Sequence, residues 1–280
     1  MSELAWNRYG KSRVRLVKVR RANATHEIVD LTIDVQLEGA FDTVYVDGDN
    51  SSCVATDTMK NTVYALARQD AITHVEAFAI RLAEHFHAKP AVTRARISVV
   101  EHRWEHVFVD GRPHPHAFVQ PGGEQWTAVV THGASGTMVV SGLTNLVMLK
   151  TTDSSFSGFP RDEYTTLPNT GDRILATSMT ASWTYRPGTT AFGVRDAIRR
   201  ALVETFAAHT SRSLQHTLHA MGEAALAACA DATDITLTLP NRHHLLVDLT
   251  PFGLDNPNEI FVATDQPFGL IEATIRRSLG

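Results

Sequence analysis

The stretch VDLTIDVQL, residues 29–37, alternates without a break. Val29, Leu31, Ile33, Val35 and Leu37 share one parity, and Asp30, Thr32, Asp34 and Gln36 share the other. A period of two sends successive side chains to opposite faces of a strand. One face is therefore packed and the other wet, as in an antiparallel sheet; a parallel sheet buried on both faces would read as a continuous apolar run. Residues 12–20 supply the partner strand, joined through the polar connection RANATHE.

Helical spacing follows. Thr73 and Glu76 read as a capping box, opening a helix whose packed face is Val75, Phe78, Ala79, Leu82 and Phe86. A shorter helix, about 58–68, precedes it, and a strand is expected at about 93–104. The second half gives strands at 126–132, 136–150 and 174–186, helices near 190–207 and 213–229, then strands at 234–239 and 243–249. Grouped strands and grouped helices indicate an α+β fold with antiparallel sheets. The order strands, two helices, strands occurs twice, so two domains are expected, 1–136 and 137–280. Two regions read as irregular, 105–127 and the long polar connection 151–173. The latter carries Phe156, Phe159 and Tyr164, and aromatics in so long a connection favour an ordered, working loop.

The bulk properties narrow the function. The chain has 280 residues, 43% hydrophobic and 20% charged, with a formal net charge of −4. That balance argues against non-specific nucleic-acid binding. Cys53 and Cys229 form neither a disulfide framework nor a zinc-ligand spacing, so no metal site is expected. No apolar run approaches the ~18 residues of a membrane span. The opening MSELAWNRYGKSR lacks the apolar core of a secretory leader, and the closing RRSLG is not a peroxisomal signal. A cytoplasmic location is expected.

Several residues carry possible chemistry, each beside a plainer explanation. Lys11, in Tyr9-Gly10-Lys11, is either a solvated lysine at a strand end or a base. Thr56, Asp57 and Thr58 precede a helical run, where they serve as caps or frame free N–H groups able to bind an anion. Arg173 opens an apolar strand, exposed or placed for a bidentate contact with a planar acceptor pair. Gln215 sits beside Leu214 in the first turn of a helix, as a boundary residue or as an amide reading a heterocycle edge. Asn241 and His243 head another strand. Alternation places His243 with Leu245, Val247 and Leu249, and sends His244 the other way into a structural role. His114 and His116 read as a solvated loop, since no carboxylate or cysteine partner stands at a metal-binding offset.

Four blocks then combine: VATDTMKNTVYALA (54–67), LKTTDSSFSGFPRDEYTTLPNTGDRILAT (149–177), SLQHTLHAMG (213–222) and LPNRHHLLVDL (239–249). In order and spacing they resemble the urate oxidase (uricase) family, and the resemblance runs from Tyr9 to about Thr274. It implies two tandem T-fold (tunnelling fold) modules, assembly into a homotetramer around a β-barrel tunnel, and active sites at dimer interfaces. The implied reaction takes urate, O2 and water to 5-hydroxyisourate and H2O2, with no metal or organic cofactor. Arg173 and Gln215, with the Leu214 backbone, would hold one edge of the purine, and Phe156 would stack on its face. Backbone N–H groups of Thr56 and Asp57 from a second subunit would hold the other edge. Lys11, Thr56 and His243 would relay protons, and Asn241 with Thr56 would hold O2 or water. The alternatives are another purine or pterin enzyme of the same fold, which would need a zinc site, and a non-catalytic purine-binding protein.

Overall fold

The computed structural model describes residues 2–21 and 23–278. The chain runs β1 (Tyr9–Arg20), β2 (Glu27–Gly39), α1 (Asp42–Val46), α2 (Thr56–Gln69), α3 (Val75–His87), β3 (Val92–His102), β4 (Glu105–Val109), β5 (Arg112–Val119), β6 (Gln125–Gly133), β7 (Gly136–Lys150), β8 (Leu175–Tyr185), α4 (Arg195–Ala208), α5 (Leu214–Ala228), β9 (Ala232–Leu246) and β10 (Phe261–Arg276). Two compact units form, one from residues 1–143 with 183–193, the other from 144–182 with 194–280.

In the first unit β1, β2, β3 and β6 are neighbours in that order, every pairing antiparallel. The alternation of VDLTIDVQL is realised in full: Leu31, Ile33, Val35 and Leu37 are completely buried. The helix face Phe78, Ala79, Leu82 and Phe86 is buried as well, and α3 packs on β3 and β6. The capping box does not form. His74, not Thr73, precedes the first helical residue, which puts Glu76 at the second helical position. Its carboxylate is buried and accepts the Ser141 hydroxyl at 2.6 Å.

Region 105–127, expected to be irregular, holds a hairpin instead. Val109 pairs with Arg112 across Asp110-Gly111, both at positive φ (50° and 73°). That is the two-residue turn whose twist matches antiparallel strands, and Asp-Gly is its usual sequence.

In the second unit β7 from Thr144, β8 as far as Ser182, β9 and β10 follow one another, with α4 against α5 and α5 against β9 and β10. Leu202, Phe206, Leu218, Met221 and Ala225 fill the space between. Gly222 lets α5 approach β10, since a Cβ there would lie 2.6 Å from the Ile275 side chain. The strands expected at 234–239 and 243–249 are one strand, β9. Its far end is not buried as the apolar row suggested: Leu245 and Leu246 are 54% and 48% exposed. β10 was not anticipated, because its sequence FVATDQPFGLIEATIR breaks the alternation at Gln266-Pro267. The register shows the interruption as a bulge between Thr264 and Gly269.

Candidate active site

The second unit contains a cavity of about 670 Å³ lined by Phe156, Arg173, Leu214, Gln215, Asn241 and His243, among others. Such a volume suits a small organic ligand. Three chain segments are stitched together to build it. Residues 151–156 lie between two strips of backbone. On one side Phe156 and Thr170 exchange N–H···O bonds of 2.9 Å each. On the other, Ser155 N–H donates to Ser211 O (2.7 Å) and Ser211 N–H to Asp153 O (3.0 Å). Asp172 locks the first join: its carboxylate accepts from the Thr152 hydroxyl (2.5 Å) and from Ser154 N–H (3.1 Å). The Thr152 hydrogen bond, foremost, holds the Asp172 carboxyl below its ordinary range. The loop is ordered by these ties, as its aromatics implied.

The stitching delivers Arg173 to Phe156. The guanidinium carbon lies 5.2 Å from the Phe156 ring centroid, within cation–π range. Burial pushes the guanidinium below its ordinary value, but arginine stays charged at neutral pH. Its Nε is shut off from solvent and has no protein partner among the described residues. A buried charged donor left unpaired is costly and calls for an acceptor; a planar anion supplies one.

The strip 209–213 leads straight into α5. Ser213 caps it, accepting from His216 N–H at 3.1 Å. Leu214 and Gln215 are then the first two helical residues, and their N–H groups have no partner within the helix. Asn241 and His243 line the cavity from β9. So does His244, against the expectation that it points elsewhere; both faces of the exposed strand end are open to the cavity there.

The remaining sequence candidates gather in the first unit. The Tyr9 hydroxyl accepts from Val54 N–H at 2.8 Å, tying the approach to α2 to the start of β1. Thr56 opens α2 as its first residue, preceded by Ala55, which makes no side-chain cap. Thr56, Asp57 and Thr58 are thus helical residues rather than caps, and the N–H groups of this first turn have no partner within the helix. Asp57 pairs with Lys60 at 2.5 Å and accepts from Asn61 at 2.9 Å. Lys60 foremost, with a smaller contribution from the charge of Lys11, holds the Asp57 carboxyl below its ordinary range. Gly10 is required: a Cβ there would lie 1.8 Å from Val35 O.

Two contacts go beyond the sequence analysis, where Phe159 figures only as a loop aromatic and Asp172 is not singled out. Phe159 stacks on Phe156 (centroids 5.0 Å apart, planes 13° apart), and the Arg161 guanidinium lies 5.2 Å from the Phe159 centroid. Phe159 stands three residues after Phe156 in the same block, which was the available signal. Asp172 directly precedes Arg173, and only the fold shows what it grips. Among the described residues no group of three or more His, Cys, Asp or Glu is placed to hold a metal ion.

Cavity, cation, aromatic face and helix-end donors, set in an antiparallel sheet-and-helix frame, together suit a flat, polar, anionic heterocycle. The sequence profile of the uricase family matches residues 7–131 and 139–272. The chain is 46% identical over 276 residues to a uricase of Arthrobacter globiformis, covering 98% of this chain and 90% of that one. It is 37% identical to a uricase of Aspergillus flavus, covering 99% and 98%. The crystal structure of the Arthrobacter globiformis uricase superposes with a TM-score of 0.95 at 45% identity, over 100% of this chain and 96% of that one. The chain belongs to the uricase family.

Proposed function

We propose that the chain is a urate oxidase that converts urate, O2 and water to 5-hydroxyisourate and H2O2, each active site drawing on two subunits. The observation that carries this reading is the half-buried Arg173 beside the Phe156 ring, with an unpartnered Nε and the N-terminus of α5 close by. Urate offers the matching features: a planar ring, adjacent carbonyl and N–H groups along one edge, and negative charge.

Arg173 and the Gln215 amide hold the pyrimidinedione edge, helped by Leu214 N–H, and Phe156 bears the ring face. The free N–H groups of Thr56 and Asp57, from a second subunit, take the opposite edge. O2 reacts poorly with closed-shell molecules, and many enzymes meet that barrier with a redox cofactor. Here deprotonated urate is itself the electron donor. Two electrons pass from it to O2, water adds to the oxidised ring, and peroxide leaves. Lys11, the Thr56 hydroxyl and His243 move the protons, since a hydroxyl can both accept and donate. Asn241 and Thr56 hold O2 and then water over the ring.

The supporting architecture is a homotetramer of chains, each with two T-fold modules (1–136 and 137–280), closed around a β-barrel tunnel. The repeated order of two strands, two long helices and two long strands supports the tandem modules. Among the described residues no helix is long and apolar enough to cross a membrane.

The test is loss of urate's near-UV absorbance with simultaneous peroxide detection, using chelator-treated protein in air. Decay with one peroxide per urate, unchanged by the chelator, is expected. Urate bound without decay would overturn the catalytic reading in favour of a purine-binding protein, and decay only after added metal would overturn the cofactor-free one.

A further inference from the structure

The register of β1 on β2 slips at one place. Lys11 pairs with Val35 and Val14 with Ile33, so Ser12 and Arg13 stand opposite the single residue Asp34. Residues paired across a ladder share a face. Val35 and Ile33 are fully buried on the helix-covered face, so Lys11 and Val14 both lie on that face. In an unbroken strand, residues three apart point to opposite faces, and Lys11 would be turned away. The extra residue reverses its phase.

What lies on that face is α2. Its C-terminal end meets β1 at Lys18, whose ammonium donates to Ala67 O (2.7 Å) and to Asp70 O. Its N-terminal end, with Thr56, is held near the start of β1 by the Tyr9–Val54 hydrogen bond. The bulge therefore turns Lys11 to the side on which Thr56 stands. Arg13 adopts φ 57°, a left-handed conformation that disfavours a residue with a Cβ. Its N–H donates to Asp34 Oδ1 at 2.5 Å. That charge-assisted bond stabilises the strained residue.

We infer that Asp34 is a positioning residue for the proton relay: by holding the Arg13 N–H it fixes the β1 bulge that presents Lys11 to Thr56. The inference rests on the assignment of Lys11 as a catalytic residue. Asp34 lies on the face of β2 opposite to Val35 and Lys11, so its effect should fall on kcat rather than on KM.

Four variants test it by steady-state urate oxidation: Lys11→Ala, Asp34→Asn, Asp34→Ala and the double variant Arg13→Gly/Asp34→Ala. Asp34→Asn keeps an acceptor oxygen and should stay near wild-type rates. Asp34→Ala should lower kcat about tenfold or more with KM within about twofold, as misplacement of a reacting group does. Glycine takes a left-handed φ without strain, so the double variant should recover most of the lost kcat. A merely structural role for Asp34 would not be rescued by glycine at another position. Wild-type kcat in Asp34→Ala alongside a slow Lys11→Ala would overturn the inference. So would a folded double variant as slow as Asp34→Ala or, where that single variant fails to fold, as slow as Lys11→Ala. A wild-type rate in Lys11→Ala would instead overturn the relay on which the inference rests.

Discussion

Arg173→Ala removes the cation placed on the Phe156 ring, so its effect belongs to binding. Loss of a charge-assisted bidentate contact of about 3 kcal/mol corresponds to roughly a hundredfold weaker affinity, read by titrating a non-reactive purine-dione analogue. Lys11→Ala and Thr56→Ala should do the reverse, leaving the analogue bound while kcat falls. Phe159→Leu should raise KM about fivefold, the equivalent of about 1 kcal/mol of lost ring stacking, with kcat less affected. Arg173, Phe156 and Gln215 stood out in the sequence through residue type and block order, and the fold gathers all three around one cavity. Phe159's stacking was not legible, because it depends on the path of the loop between Gly158 and Asn169. The orientation of Lys11 was hidden for a different reason. Counting back from Val14 by twos gives the wrong face, and nothing in Ser12-Arg13 marks a left-handed residue as Gly or Asn would.

The elements that build the cavity can be tested through their ends. Ser213→Ala deletes the cap of α5 and should lower stability by about 1 kcal/mol, measured by denaturant unfolding, with the first-turn N–H groups less well fixed. Asp172 ties residues 151–156 beside Arg173, and its carboxyl is held below the ordinary range. A group whose folded value is depressed contributes stability above its unfolded value, near 3.9. That contribution is lost as pH falls through the folded value. The loop should thus resist proteolysis from neutral pH down to about 4 and loosen only below it; in Asp172→Ala the 151–173 segment should be cut at neutral pH. Helices and strands of strong period were legible to within a few residues, as with 136–150. Two elements were not: the 105–119 hairpin, whose strands are short and interrupted by Pro113 and Pro115, and β10, whose alternation is broken by its own bulge. The capping box failed because packing claimed Glu76 for the interior.

For the whole molecule, the division of candidate residues between two units gives a sharp test of assembly. If each site takes Lys11 from one subunit and Arg173 from another, co-expressing inactive Lys11→Ala and Arg173→Ala chains should restore activity. Random pairing in a symmetric dimer leaves about a quarter of the sites intact, so about a quarter of wild-type turnover is expected; no recovery in hybrids verified by mass would show that one subunit supplies both. The packing of the first unit leads elsewhere. Residues 183–193 return to it after the chain has left, bringing Trp183, Tyr185 and Phe192, all buried. Trp183 meets Trp126 edge-on with centroids 6.4 Å apart. A fragment of residues 1–136 lacks those side chains and should show no cooperative unfolding by circular dichroism. The same thread constrains heredity. A genetic crossover near residue 136 would ask Trp126 from one parent to pack on Trp183 from another, so recombinants joined there should fold less stably than either parent.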